Sequence, residues 1–119
     1  MNKFKVETYV KENGDNPVKE FVSSLTEEMQ SKFVHMVDLL TERGNQLREP
    51  YSEYLEDGIF ELRYKNDEQA VRVLFFFYYE GRIILTNGFI KKTRKTPRKE
   101  IKKAKDYRND FLERQKNES

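Results

Sequence analysis

The stretch GIFELRYKNDEQAVRVLFFFYYEGRIILTNGF, residues 58–89, decides the fold. It contains three runs, IFELRY, AVRVLFFFYY and RIILTNGF, which are rich in aromatic and β-branched residues and are separated by short polar or Gly-containing breaks. Such runs favour strands, and breaks of this length favour hairpin turns. The stretch therefore predicts three consecutive antiparallel strands.

The two turns predict how these strands align. A short polar turn after the first strand places Arg63 directly opposite Arg72. A three-residue loop with Gly81 in the left-handed conformation then places Arg72 opposite Gly88, which would leave space beside the arginine for a ligand. Continuing the alternation beyond the third strand puts Lys92 on the same face as both arginines.

This alignment predicts one apolar face and one mixed face. We expect the apolar face to pack under helices, and the face with Glu61 and the two arginines to carry the function. The apolar face consists of Phe60, Leu62, Tyr64, Val71, Val73, Phe75, Phe77, Ile83, Leu85 and Phe89.

The flanking sequence predicts the remaining elements. Residues 4–10 alternate as a strand, and residues 17–43 carry two capped helical patterns that form a hairpin. Residues 45–58 are predicted to be a connection, and a last helix starts at Pro97. We predict a single α+β domain over residues 1–119, with element order β-α-α-β-β-β-α. Its sheet is antiparallel, with an N-terminal helical hairpin, a C-terminal helix and a frayed tail over 112–119.

Composition excludes several classes of protein. The 119 residues contain no Cys and one His, which excludes a disulfide framework and disfavours a metal site. That histidine, His35, lies off the apolar stripe of its helix and is expected to be solvated. The sequence has neither the apolar segment of a signal peptide nor a run long enough to span a membrane, so we expect a cytoplasmic protein with no membrane partner.

The positive charge is concentrated in one segment. Residues 90–105 contain nine Lys and Arg side chains and a single Glu, although the whole chain has a formal net charge of only +2. A local basic patch on an otherwise acidic protein favours polyanions and predicts salt-dependent binding.

The predicted Arg63–Arg72 pair has two interpretations. Two cations opposite one another destabilise a sheet unless an anion offsets them, and Glu61 is available as a structural counter-charge. Alternatively, the pair binds an anionic ligand, because guanidinium groups recognise phosphate in two-point geometry.

The strings DGIFELRY, VRVLFFFYY and NGFIKKTRKTPRKEIKKA together resemble the RelE/HigB superfamily of type II toxin–antitoxin toxins, particularly its HigB-like branch related to a phage Gp49 protein. The resemblance extends over about residues 1–112 and is specific over 57–104. It implies a RelE-like fold and an mRNA endoribonuclease that acts on the translating ribosome. It also implies a cognate HigA-like helix-turn-helix antitoxin, in a toxin–antitoxin heterotetramer.

The resemblance implies four candidate catalytic residues. Arg72 matches the strand arginine that contacts the scissile phosphate, and Arg63 matches the arginine of the family's ELR motif. Lys91 and Lys92 match the basic pair that contacts the transition state or the RNA. Between Phe89 and Tyr107 the sequence lacks the Tyr or His that assists proton transfer in some family members.

RNA cleavage by the 2′-hydroxyl needs a base, positive groups around the phosphate and an acid for the leaving oxygen. Without a catalytic histidine, the base is a lysine whose pKa is lowered by neighbouring cations, and Lys91, Lys92 and Lys95 all qualify. This route needs no metal ion or other cofactor.

The remaining candidates are RNA-binding or ribosome-binding residues. Phe76 and Tyr78 are expected to stack on bases or to receive the antitoxin, with packing under a C-terminal element as the alternative. The basic candidates are expected to form a solvated or rRNA-facing surface. They are Arg94, Lys95, Arg98, Lys99, Lys102 and Lys103.

Two further functions remain open from the sequence. A ParE-like toxin would use the same fold to bind a protein such as gyrase and would cleave nothing. A non-toxic RNA-binding module would keep its salt-dependent affinity without Arg72.

Overall fold

The computed structural model describes residues 4–118, and its α+β architecture confirms the predicted class. The last three strands lie where the sequence predicts them. The elements are β1 Lys5–Thr8, α1 Pro17–Ser23, α2 Glu27–Arg43, β2 Ser52–Glu56, β3 Ile59–Lys65, β4 Ala70–Tyr78, β5 Arg82–Ile90 and α3 Arg98–Glu118.

The sheet has the strand order β1-β5-β4-β3-β2. Its pairs are antiparallel except β1 with β5, which is parallel. The prediction was wrong in two respects: it made the sheet wholly antiparallel, and it missed β2 inside the connection 45–58. β2 has the sequence SEYLE and pairs only with β3 at the sheet edge, so it lacks the continuous apolar run of a central strand.

The helical hairpin begins at the predicted caps. The Asn16 side chain accepts a hydrogen bond from the Lys19 amide at 3.0 Å, and Pro17 occupies the first turn of α1. The Thr26 hydroxyl accepts from the Met29 amide at 3.3 Å at the start of α2. Local sequence is therefore sufficient to define both helix starts.

The hairpin packs on the predicted apolar face of the sheet. Every predicted member of that face except Phe89 lies in or against this core. The helices supply the other half of the layer. The buried residues of the helices are Val18, Met29, Met36 and Leu40, and the turn between them adds Leu25.

Helix α3 packs on the opposite face. Ile84 and Phe76 lie in a second core with Ala104 and Phe111 of the helix. Leu112, the residue after Phe111, is exposed. The helix continues to Glu118 through most of the segment predicted to fray, and Ser119 lies outside the described residues.

A β-bulge in β5 changes the predicted alignment. The ladder passes from Phe75 opposite Leu85 to Leu74 opposite Asn87, so Thr86 is an extra residue. Side chains beyond a bulge exchange faces. Arg72 therefore lies opposite Phe89 rather than Gly88, which corrects the prediction for both residues.

Gly88 has a packing role on the hairpin side of the sheet. A Cβ atom there would lie 2.5 Å from Cδ2 of Phe21 on α1. It does not provide space for a ligand beside Arg72, contrary to the prediction. Its small size lets α1 approach β5 closely.

Gly88→Ala is expected to destabilise the fold by about 1–3 kcal/mol, because the Phe21 ring must move. Urea unfolding measures this loss. A second substitution, Phe21→Leu, should recover part of it. Unchanged stability of the single variant would contradict this account of the close contact.

Among residues 4–118, no helix is both long and apolar enough to cross a membrane.

Candidate functional site

Two arginines and one buried carboxylate form the centre of the site. Arg63 lies opposite Arg72 across the β3–β4 ladder, which confirms that part of the predicted alignment. Glu61 lies two residues before Arg63, on the same face, and is only 1% exposed. Its Oε2 accepts a hydrogen bond from Arg63 Nε at 2.9 Å and lies 3.6 Å from Arg72 Nε. Glu61 is thus the counter-charge that lets the two cations face each other.

Thr96 holds the same carboxylate from the segment that joins β5 to α3. Its hydroxyl donates a hydrogen bond to Glu61 Oε1 at 2.5 Å. This role could not be predicted, because the position of Thr96 before Pro97 indicates only a helix start. Glu61 therefore connects the basic segment after β5 to the arginine pair.

The two arginines differ in how fully they are paired. Arg63 also contacts Glu53 at 2.6 Å and Glu49 at 3.6 Å, and its side chain is 23% exposed. Arg72 is 12% exposed, and its Nη1 donates to the Val71 carbonyl at 3.0 Å. Its buried Nε has no hydrogen-bond partner among the described residues. Arg72 therefore has the greater unused capacity to bind an anion.

Lys91 lies in the electrostatic field of this pair. Its amide donates to the Ala70 carbonyl at 2.7 Å, which extends the β4–β5 ladder by one residue. Burial, followed by the positive charge of Arg72, lowers the pKa of the Lys91 amine below its ordinary value. Burial also lowers the pKa of Arg72, against the opposing effect of Glu61, but a guanidinium stays charged near neutral pH.

Glu61, Arg63 and Lys91 line a cleft of about 510 Å³, which we call the basic cleft, and Arg72 is not among its lining residues. The cleft lies between β2, β3, the segment after β5 and the start of α3, and it brings together five of the predicted basic residues. Its lining residues are Glu53, Tyr54, Leu55, Glu56, Glu61, Arg63, Lys91, Arg94, Lys95, Thr96, Arg98 and Ile101.

Lys92 is placed differently from the prediction. Because the bulge at Thr86 shifts the alternation by one residue, Lys91 and not Lys92 follows the arginine face. Lys92 lines a separate pocket with Phe21 and Lys99. The geometry therefore groups Lys91 with Arg63 and Arg72, and leaves Lys92 outside the basic cleft.

The predicted basic surface of α3 is exposed and partly paired with acids. Lys102 contacts Asp106 at 2.9 Å, and Lys103 lies 3.8 Å from Glu100. A small surface depression is lined by four cations, Arg98, Lys99, Lys102 and Lys105.

Glu56 at the end of β2 is held by α3. Hydrogen bonds from Arg98 and Lys105 lower the pKa of its carboxyl to about 2. The carboxylate therefore stays charged across the physiological range. It fixes one edge of the basic cleft.

Phe76 and Tyr78 do not form the predicted base-stacking surface. Phe76 is 3% exposed, and its ring lies 5.7 Å from that of Phe111 on α3. Tyr78 contacts the same ring at 5.1 Å and carries the Arg82 guanidinium over its own. Both side chains pack under the C-terminal helix, in agreement with the alternative interpretation.

A buried polar link fixes the start of α3 to β5. Asn87 Nδ2 donates to Glu100 Oε1 at 3.0 Å, and both residues are buried. The bulge directs Asn87 toward the helix, which the sequence does not indicate. This link positions the basic segment 91–96 over the arginine pair.

The arrangement suits phosphate chemistry. The guanidinium groups of Arg63 and Arg72 and the amine of Lys91, whose pKa is lowered, lie around one carboxylate beside an open cleft. Such groups stabilise developing negative charge and move protons. Within residues 4–118, no three His, Asp or Glu side chains are grouped as metal ligands.

A comparison with protein-family models identifies the family of this chain. The family model described as phage derived protein Gp49-like (DUF891) matches residues 20–109. The matched region includes every residue that lines the basic cleft. No curated protein matches the chain.

Proposed function

This chain belongs to the Gp49-like family of phage-derived proteins, a toxin-like family of toxin–antitoxin systems, and from that premise we propose that it is an mRNA endoribonuclease. One observation carries the proposal: Arg63, Arg72 and Lys91 lie around a single buried carboxylate, and that carboxylate lines an open cleft together with Arg63 and Lys91. The carboxylate holds the cations in place without filling the cleft.

The proposed reaction assigns each group a step. Arg72, assisted by Arg63, binds the scissile phosphate and stabilises the charge of the phosphorane-like transition state. Neutral Lys91 takes the proton of the adjacent 2′-hydroxyl, whose oxygen attacks phosphorus to form a 2′,3′-cyclic phosphate. The P–O5′ bond breaks, and the departing oxygen takes a proton from an ammonium of the cleft such as Lys95. DNA lacks the attacking hydroxyl and is not cleaved.

The exposed cations of α3 support a ribosome-dependent reaction. Contacts from such side chains to RNA phosphates position a large RNA without reading its sequence. We propose that the surface formed by Arg94, Lys99, Lys102 and Lys103 holds the protein against rRNA. Cleavage should then weaken steeply as salt increases.

The proposed partner is a HigA-like helix-turn-helix antitoxin that neutralises the toxin in a heterotetramer. Family membership and the resemblance of the motif strings support this proposal. Coexpression tests it: expression of the toxin alone should stop growth, and expression with the adjacent antitoxin should restore it and yield a copurifying complex.

The central experiment is primer extension on a reporter mRNA in a reconstituted translation reaction, with and without ribosomes. Codon-phased cuts that need ribosomes are the expected result. Intact mRNA beside an active control toxin would reject the nuclease and favour the ParE-like or plain RNA-binding alternative. Cuts without ribosomes would retain the nuclease and remove ribosome dependence.

Lys91→Ala is expected to reduce cleavage by about 100-fold or more, because it removes the proposed base. Lys91→Arg should fail similarly, since a guanidinium does not lose its proton. In the wild type the rate should rise with pH, because the neutral fraction of Lys91 grows as pH approaches its lowered pKa.

Lys92→Ala is the matched control, because Lys92 is the neighbouring lysine outside the basic cleft. It should change the rate by less than about tenfold and leave the pH profile unaltered. Equal losses in the two variants would contradict the assignment of the base to Lys91.

A further inference from the structure

A second cavity, of about 450 Å³, lies between α2, β3 and the segment before β2, and we call it the side groove. Arg63 and Arg72 line it together with residues that the proposed reaction does not use. The further lining residues that matter here are Lys32, His35, Tyr51, Tyr64 and Lys65. Its volume falls within the range of small-ligand sites.

Two residues of the side groove each carry an unsatisfied polar atom. Among the described residues, two buried side-chain nitrogen or oxygen atoms lack a hydrogen-bond partner, Tyr64 Oη and Arg72 Nε, and both residues line this groove. Tyr64 is 7% exposed, and burial raises the pKa of its phenol well above the ordinary value. The phenol is therefore protonated and able to donate a hydrogen bond. A fold seldom leaves such groups unpaired unless they have another use.

The lining combines positive charge with an aromatic surface. Lys32 from α2 and Lys65 from β3 add to the two arginines, and no Asp or Glu is among the lining residues. Tyr51 is 41% exposed and stands beside Pro50 at the mouth. A cationic wall beside an exposed ring is the combination that binds a nucleotide, through its phosphate and its base.

We propose that the side groove binds the nucleotide adjacent to the scissile phosphate in single-stranded RNA. The inference rests on the proposed function. Arg63 lines both cavities, so a strand held at the arginine pair can extend from the basic cleft into the groove. Lys32 and Lys65 contact its phosphate, the base stacks on Tyr51, and the Tyr64 hydroxyl donates to an acceptor of the nucleotide.

The test measures binding without cleavage. The probe is a fluorescein-labelled RNA hexamer in which every sugar is 2′-O-methylated, so that no nucleophile is present, and fluorescence anisotropy reports its affinity for the full chain. Tyr51→Ala should weaken binding by about fivefold or more, as loss of a stacking platform does. Lys32→Ala should weaken it and lower the salt slope by about one.

Matched controls come from exposed residues of the same types elsewhere. Lys19→Ala on α1 and Tyr79→Ala in the β4–β5 turn should leave affinity unchanged. Wild-type affinity in both groove variants, or equal losses in the controls, would overturn the proposal.

Tyr64→Phe separates ligand binding from a structural role. The hydroxyl has no partner within residues 4–118, so its removal should leave Tm unchanged or higher. We expect the same variant to bind the hexamer more weakly by about threefold or more. A lower Tm, or unchanged affinity, would reject the role assigned to this hydroxyl.

Titrations followed by amide chemical shifts distinguish a nucleotide from a simple anion. AMP should change the amide chemical shifts of Lys32, His35 and Lys65. The affinity for AMP should fall in Tyr51→Ala, and inorganic phosphate should bind the wild type less tightly than AMP does. Equal binding of phosphate and AMP would overturn the nucleotide assignment. Because the hexamer cannot be cleaved, the groove can be confirmed even if the nuclease is rejected, and rejected even if the nuclease is confirmed.

Discussion

Arg72→Ala is expected to reduce mRNA cleavage by about 100- to 1,000-fold while the protein remains folded. A preorganised donor at a developing oxyanion typically contributes an effect of this size. Arg72 is the better candidate for that role, because its contact with Glu61 is 3.6 Å long and its Nε is unpaired within the described residues. Arg63 is already engaged by Glu49, Glu53 and Glu61.

Arg63→Ala is the matched comparison for this prediction. It removes the same functional group from the facing strand, but a phosphate must first displace Glu53 from Arg63. Its loss should therefore be smaller than that of Arg72→Ala. Arg72→Lys should recover little, since an ammonium lacks the two-point geometry of a guanidinium.

The measurement is the single-turnover rate in the reconstituted translation reaction, with thermal unfolding as the check of folding. Wild-type cleavage by folded Arg72→Ala protein would remove the arginine pair from the mechanism. A larger loss in Arg63→Ala than in Arg72→Ala would contradict this assignment. It would show that the phosphate binds to Arg63 by displacing its glutamate partners, and not to the unpaired guanidinium of Arg72.

The sequence predicted the hairpin β3–β4 correctly because its alignment depends on local turn chemistry. Polar residues between two apolar runs restrict the turn, and the restricted turn puts Arg63 opposite Arg72. Gly81 adopts the predicted positive φ, at 72°, in the next turn. The centre of the candidate site thus follows from short-range information.

The bulge at Thr86 depends on long-range packing and was not predicted. RIILTNGF reads as a regular strand, because an apolar alternation gives no sign of one extra residue. Only the positions of Phe21 on α1 and Glu100 on α3 show why Gly88 and Asn87 must face opposite sides. The assignment of Lys92 to the arginine face failed for this reason.

The packing of α3 over Phe76 and the hydrogen bond from Thr96 to Glu61 also depend on long-range contacts. Each contact joins two residues that lie 35 positions apart in the chain, Glu61 with Thr96 and Phe76 with Phe111. Residue type and spacing in the sequence say little about which distant residues come into contact. The elements could therefore be predicted better than the contacts that assemble the site.

Glu61→Ala is expected to lower the free energy of unfolding by about 3–5 kcal/mol, the typical cost of removing one partner from a buried ion pair. Glu61 is almost fully buried, and its loss leaves Arg63 facing Arg72 with no buried anion between them. It also leaves the Thr96 hydroxyl without its acceptor. Glu61→Gln should lower the free energy of unfolding by less, because the amide keeps an oxygen that accepts the hydrogen bond from Thr96. It still costs stability, since the negative charge between the arginines is lost.

Glu53→Ala is the matched control, because Glu53 also pairs with Arg63, at 2.6 Å, yet its side chain is 41% exposed. Exposed pairs contribute about 0–1 kcal/mol, so this variant should unfold close to the wild type in urea. Equal costs for Glu61→Ala and Glu53→Ala would contradict the view that burial makes Glu61 essential. A large cost confined to Glu61 would mean that one buried carboxylate holds the two arginines opposite each other.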